Sequence, residues 1–371
     1  MDKKTNAAIT VVFFAVILLI FTVSDMITGD KLYSETENRI LASRPQLTWE
    51  SVLDGTYMED YETYVTDQFI ARDAWVELKT RSDILLQKKA INGVYLGKED
   101  YLIEQHLPGE ISKEDVEKKI RLLAGLVEKY DAEVMLVPTA DNILSDKLPP
   151  FAQYYDQKAF LSQVAEAVGD NLINVYDALK EHNEEYIYYR TDHHWTTLGA
   201  YYGYQEWKHQ AGRPSVVRFH PEEMETVTDA FLGTLHSKLN LEWETDSIQI
   251  LPETKLRVPT LIYDYTTKTF TYYEDKYLST KNKYGYFLDD NHPFIEIKTG
   301  YTTGRSLVII KNSYANCMIP MLANHYDRIY AIDLRYYNGK LADLVDPYMN
   351  ENTDMLILYD CIHFIEDFKY Y

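Results

Sequence analysis

The sequence predicts an α/β fold: a parallel sheet flanked by helices, with a β-rich insertion and an N-terminal transmembrane helix. Three observations lead there. Short, wholly apolar runs recur along the chain and alternate with amphipathic stretches, the pattern of parallel strands buried on both faces. Between about 219 and 304 that rhythm gives way to segments alternating apolar and polar residues, with tight turns. Residues 7–23 form an apolar run near the N-terminus.

That run is interrupted only by Thr10 and Thr22. Crossing the hydrocarbon takes roughly 20 apolar residues, with a range of about 17–25, so it is just long enough. Lys3 and Lys4 precede it, and Asp25 and Asp30 follow. Positive charge stays on the cytoplasmic side, so the body of the protein is expected outside. The expectation is a cytoplasmic tail at 1–6 and a single-pass signal-anchor at 7–23 in the cell membrane. A cleaved signal peptide is the alternative, but Thr22-Val23-Ser24 is a poor cleavage site.

Residues 24–88 read as an extracytoplasmic neck, partly helical. Pro45 disfavours helical geometry at Arg44. Tyr57 to Lys88 carries Tyr61, Val65, Phe69, Trp75, Leu78 and Leu85 at helix-like spacing without a proline, which predicts helix. The α/β domain then occupies 89–371. It opens with a strand and turn at 93–97. A helix follows over 112–130, with Ser112 as N-cap and Glu114 and Asp115 suiting its dipole. Strands are expected at Glu133–Pro138, Leu172–Tyr176, Leu307–Ile310, Arg328–Ile332 and Met355–Tyr359, and a helix over Lys158–Val168. Inside the insertion, Thr260–Tyr265 and Thr267–Tyr273 alternate like antiparallel strands.

Composition narrows the function. The chain has 371 residues, 46% of them hydrophobic, enough for a sizeable core. Lys and Arg number 37 against 58 Asp and Glu, a formal net charge of −21. That field repels phosphate backbones and argues against nucleic-acid partners. The 33 tyrosines suit a wet groove for glycans, and equally suit half-buried strands. Cys317 and Cys361 match no metal-ligand spacing, and one disulfide between them stays open.

The chemistry concentrates in Arg190-Thr191-Asp192-His193-His194-Trp195-Thr196 and in Ser313. Ser313 follows an apolar strand, where open parallel sheets bind ligands and helix-start N–H groups can hold an oxyanion. Taken alone, that serine reads rather as an N-cap than as a nucleophile. A nucleophile needs a base, and the base needs a carboxylate to fix its tautomer; Asp192 and His194 supply both. Trp195 offers an apolar wall or a sugar platform. Asp192, His193 and His194 are also potential metal ligands, but no further histidine sits at helical spacing, and the expectation is no metal and no cofactor.

Thr191-Asp192-His193-His194-Trp195-Thr196 with Gly199-Ala200-Tyr201 resembles the signature of the DHHW family of bacterial envelope proteins. These are similar to the alginate O-acetylation proteins of the AlgX and AlgJ type, with an SGNH-hydrolase-like catalytic domain. The resemblance extends to 34–39 (Ser-Glu-Thr-Glu-Asn-Arg), 67–73 (Asp-Gln-Phe-Ile-Ala-Arg-Asp), Gly93–Gly97, Val137-Pro138-Thr139 and Lys311-Asn312-Ser313-Tyr314. It implies Ser313 as nucleophile, His194 as base and Asp192 as its orienting acid, in a permuted chain order. Asn312 stands where an acidic or small residue is expected, and no lysine follows Val137-Pro138-Thr139-Ala140. Tyr314 and Arg335 are candidates, with Trp195, for substrate contact; Arg335 reads equally as an ion-pair partner. The implied function is a membrane-anchored O-acyltransferase or esterase acting on acyl groups of an envelope polysaccharide. A membrane-bound O-acyltransferase is the implied donor partner. The alternative is a non-catalytic glycan-binding or scaffold protein.

Overall fold

The structure, a computed structural model, describes residues 3–34, 36, 39–213, 217–337 and 339–370. Met1 and Asp2 of the expected tail, and Glu35, Glu37 and Asn38 of the 34–39 motif, lie outside the described residues. The chain divides into two compact units: Met1–Lys88 with Leu239–Leu241, and Lys89–Lys238 with Glu242–Tyr371.

In the first unit, Lys3–Ile27 is one helix, α1. Its segment Thr5–Ser24 has a mean hydropathy of 2.8 and is long and apolar enough to cross a membrane. The helical stretch expected over 57–88 forms as two helices, α2 (Thr56–Gln68) and α3 (Arg72–Leu85). Ala71 takes a left-handed φ of 54° between them, which no α-helix continues through.

The second unit is built on seven strands: β1 (Glu133–Val137), β2 (Thr260–Tyr263), β3 (Thr267–Thr269), β4 (Phe294–Lys298), β5 (Ser306–Lys311), β6 (Arg328–Ile332) and β7 (Thr353–Asp360). Their order across the sheet is β3-β2-β4-β6-β5-β7-β1. The pairs β6–β5, β5–β7 and β7–β1 are parallel. The pairs β4–β6, β2–β4 and β3–β2 are antiparallel.

The expected parallel sheet is therefore a mixed one. Most of the insertion is no separate module: three of its strands extend the sheet beyond β6. Their alternating pattern fits an edge, where one face is less deeply covered. A second part of the insertion, Glu225–Phe231 with Asp246–Ile250, forms its own antiparallel pair. The strand expected at 172–176 does not form. Leu172 makes a single bridge to Val134. The Asn174 side chain then accepts from the Tyr176 N–H at 3.0 Å and starts a helix, Tyr176–Glu181.

β5 shows why its run reads as uniformly apolar. Leu307 and Ile309 enter the core on one face of the sheet; Val308 and Ile310 enter the core on the other. Helix α4 (Lys113–Tyr130) covers the second face through Val116, Leu123 and Leu126. Its N-cap Ser112 accepts from the Asp115 N–H, as its sequence predicts. Helix α5 (Gln157–Val168) packs on the same face, and α6 (Thr197–Gln210) covers the first through Ala200, Tyr204 and Trp207. Many tyrosines are core residues rather than groove residues: Tyr188, Tyr204, Tyr263 and Tyr326 are fully buried. Cys317 and Cys361 are free and buried, so no disulfide joins them.

Candidate active site

Ser313 lies immediately beyond β5, the second of the four parallel strands from β6. Asn312 ends the strand and caps a 3-10 turn, Ser313–Ala315. Its side-chain oxygen accepts from the Tyr314 N–H at 3.1 Å, while its amide NH₂ donates to Asp360 Oδ2 at 2.7 Å. Asp360 ends β7, the neighbouring strand, and also accepts from the Ile362 and His363 N–H groups and from His363 Nδ1. Only an amide can donate and accept in that position; a second carboxylate there would face Asp360. This explains the asparagine that the resemblance did not anticipate.

The other half of the site comes from the 190–196 loop. Ser313 Oγ lies 2.7 Å from His194 Nε2. His194 Nδ1 lies 2.6 Å from Asp192 Oδ1, which also accepts from the His194 backbone N–H. With the ring neutral, Nδ1–H donates to Asp192 and Nε2 accepts from the Ser313 hydroxyl. The three groups are 3%, 5% and 8% exposed for Asp192, His194 and Ser313, so the relay is dry but touches solvent at its serine end. The structure thus brings these three predicted residues together across 119 positions of sequence.

Asp192 is held from behind. Its Oδ2 accepts from the Thr234 N–H at 2.8 Å and the Thr234 hydroxyl at 3.1 Å. Burial raises its carboxyl, but the neighbouring imidazoles of His193 and His194 and the bonds from His194 and Thr234 outweigh this and hold it well below the usual range. Gly233 permits the close approach: a Cβ there would fall 2.3 Å from Asp192. Tyr284 stacks on the His194 ring, centroids 3.8 Å apart and planes 12° apart, and its hydroxyl donates to the Ser313 carbonyl at 3.2 Å. Sequence reasoning missed Thr234, Gly233 and Tyr284. Each lies in the insertion, and nothing local marks any of them as a neighbour of residue 192 or 194.

Two predicted contacts are corrected. Trp195 is no open wall: it is fully buried, its Nε1–H donates to the Tyr314 carbonyl at 2.8 Å, and it packs over Gly203. It ties the loop of His194 to the turn of Ser313. Arg335 makes a bidentate pair with buried Asp333, at 2.9 and 2.6 Å, which is the ion-pair role. Tyr314 is intermediate. Its hydroxyl donates to the His193 carbonyl, but its ring lines a small polar cavity with Glu104, His106, Asp141, His193 and His363. That cavity sits beyond the carboxyl ends of β1, β5 and β7, where ligands of parallel sheets bind.

Asp192, His193 and His194 do form a group whose ligand atoms lie within 4.8 Å of one another. Their atoms are committed elsewhere, however. Both His194 ring nitrogens sit in the relay, and His193 Nδ1 pairs with Thr234 Oγ1 at 2.8 Å. Burial first, and the charge of His194 second, push His193 down to about 4, so it is neutral at ordinary pH.

The DHHW protein family model matches residues 88–332. The chain belongs to the DHHW family. Among solved structures, a DHHW family protein from Eubacterium siraeum is 24% identical, with a TM-score of 0.61, over 74% of this chain and 93% of that one. Bacillus cereus PatB1, solved with a sulfonyl adduct, is 21% identical, with a TM-score of 0.58, over 73% of this chain and 95% of that one. The O-acetyltransferase domain of Pseudomonas putida AlgJ is 13% identical, with a TM-score of 0.46, over 75% and 94%. The first two likenesses are of fold. No curated protein matches the chain.

Proposed function

We propose that this DHHW protein is an extracytoplasmic enzyme, held in the membrane by α1, that transfers an acyl group, most simply acetyl, to hydroxyls of an envelope polysaccharide. One observation carries the reading: a serine, an imidazole and a carboxylate in hydrogen-bond series at 2.7 and 2.6 Å. Family membership, with the resemblance of the 191–196 signature to the alginate O-acetylation proteins, supports the acyl class and the polysaccharide acceptor. Esterase action is the same chemistry with water as acceptor.

In this mechanism Ser313 Oγ attacks the acyl carbonyl as its proton passes to His194 Nε2. Asp192 holds the imidazolium that forms. The Tyr314 N–H is given to Asn312 Oδ1 and the Ala315 N–H to the Asn312 carbonyl, so the tetrahedral oxyanion falls to the Ser313 N–H, a donor of the kind that contributes roughly 10²–10³ in rate. Collapse returns the proton to the leaving group and leaves an ester on Ser313. The acceptor hydroxyl then gives its proton to His194 as its oxygen attacks that ester, and the second collapse restores the serine. A membrane-bound O-acyltransferase would supply the donor.

The PatB1 adduct suggests the test. Methanesulfonyl fluoride should label Ser313 in the native chain, read by intact mass and peptide mapping. Ser313→Ala should not label. Label found on another residue, or undiminished in Ser313→Ala, refutes the assignment.

A further inference from the structure

We propose that α3 is a membrane-interface helix: the outer leaflet of the bilayer that α1 crosses covers its face of Ala74, Trp75 and Leu78. This goes beyond the acyl-transfer chemistry. It rests on one part of the proposed function, the anchoring of the chain by α1.

The helix is inside out for one packed in water. Its buried residues are Thr80 and Asp83. Its large apolar side chains face outward: Trp75 is 46% exposed, Leu78 54% and Leu85 84%. Ala71, Ala74, Trp75, Leu78 and Leu85 fall on one stripe at helical spacing. Lys79 and Arg81 stand at the two borders of that stripe, both exposed, where headgroup phosphates meet an interfacial helix. A single exposed leucine needs no explanation, but an apolar stripe laid over a polar buried side needs an apolar neighbour.

α1 says which neighbour. Phe21 stacks on Phe69 with ring centroids 5.5 Å apart and packs on Trp75 at 6.0 Å. Ile20 and Phe21 face Ile70, Ala74, Trp75 and Leu78 across an apolar groove of about 350 Å³. Thr5–Ser24 is 20 residues of helix, about 30 Å long, which matches the hydrocarbon thickness. Phe21 stands three residues before Ser24, so it lies about 4.5 Å inside the outer boundary. Phe69 and Trp75, which touch it, sit at that depth. Interfacial helices bury their apolar face about 5–10 Å into the same zone, and tryptophan concentrates there. The net charge of −21 gives anionic lipid no hold on the neck, so the contact is one of apolar area. Lipid already surrounds α1 at this depth, which selects it over a second protein chain as the cover.

The test reads depth. Leu78→Cys is labelled with a nitroxide in the full chain and reconstituted in vesicles of phosphatidylethanolamine and phosphatidylglycerol. Trp75→Cys is a second site on the stripe. Glu77→Cys, on the polar side of the helix, and Phe14→Cys, midway along α1, are the references. The native Cys317 and Cys361 are buried and should not react. Melting temperatures compared with the native chain check folding. Power saturation with oxygen and with a water-soluble nickel chelate should place the labels at 78 and 75 about 5–10 Å below the headgroup boundary, with the label at 77 in water and the label at 14 deep in hydrocarbon. Equal depths at 77 and at the stripe positions, with the label at 14 in lipid, overturn the proposal and leave the anchoring standing. A label at 14 that reads as water shows that the anchoring itself has failed, and the proposal falls with it. Stripe labels shielded from both oxygen and nickel mark a protein cover, a partner or a second copy, and overturn it as well.

Discussion

β5 and β6 are parallel neighbours that end in the same local device. After β5, Asn312 caps a 3-10 turn by accepting from the N–H two residues on, at 3.1 Å; after β6, Asp333 does the same for Arg335, also at 3.1 Å. One turn lifts Ser313 toward an imidazole. The other folds Arg335 back onto its own cap. The backbone solutions match, so the device itself makes no active site. The difference is what arrives from elsewhere: the 190–196 loop and the insertion meet the first turn, while Asp333 neutralises the cation of the second.

That contrast can be broken by substitution. The largest effect should follow His194→Ala, which leaves Ser313 without a base and should slow its sulfonylation by about 10⁴, on the scale known for triad members. If Arg335→Met slowed labelling as much, the two turns would not differ in function. We expect it to leave labelling within about threefold. It should instead lower stability by about 3–5 kcal/mol in urea melts, because the fully buried Asp333 loses its partner. Asn312→Asp should cost about 2–3 kcal/mol by setting a second carboxylate against Asp360, and Asp360→Asn should recover most of that in the double variant. Tyr284→Phe keeps the stack and loses only the bond to the Ser313 carbonyl, so about 1 kcal/mol is expected.

A pH slope, which changes stability without touching the relay, comes from the third cap. The charge of Asp360 raises His363 from 6.5 to about 9, against burial, so the folded state holds that proton more tightly than the unfolded chain. Its contribution is complete below about 6.5 and is lost as pH rises through 9. Urea midpoints should fall between pH 6 and 9.5, and His363→Gln should flatten that fall.

The comparison also explains what the sequence could carry. β1, β5, β6, β7 and the helices over 113–130 and 157–168 announce themselves through unbroken apolar runs and caps, because burial on both faces leaves little room for polar residues. The pairing of Asp192 with His194 is local and legible, and Ser313 is marked by the strand before it. Trp195 misled because a conspicuous aromatic beside a catalytic pair suits a binding platform and a core tether alike. Thr234 and Tyr284 were invisible as site residues for another reason. They reach the relay only through the way the insertion folds, and single-residue patterns say nothing about such long-range pairing. The mixed character of the sheet was hidden likewise: alternation marks antiparallel strands but not which edge they join.

The order of strands has a consequence for biosynthesis. β1 is made first, yet its strand partner is β7, made last and more than 200 positions later, and β5 also needs β7 on one side. Pairings that distant close slowly, so the growing polypeptide should emerge without its central sheet and depend on protection from aggregation until Thr353–Asp360 appears. A premature stop before Thr353, which removes β7 and the helix Cys361–Asp367 after it, should leave no partly working enzyme, but a chain cleared by proteolysis.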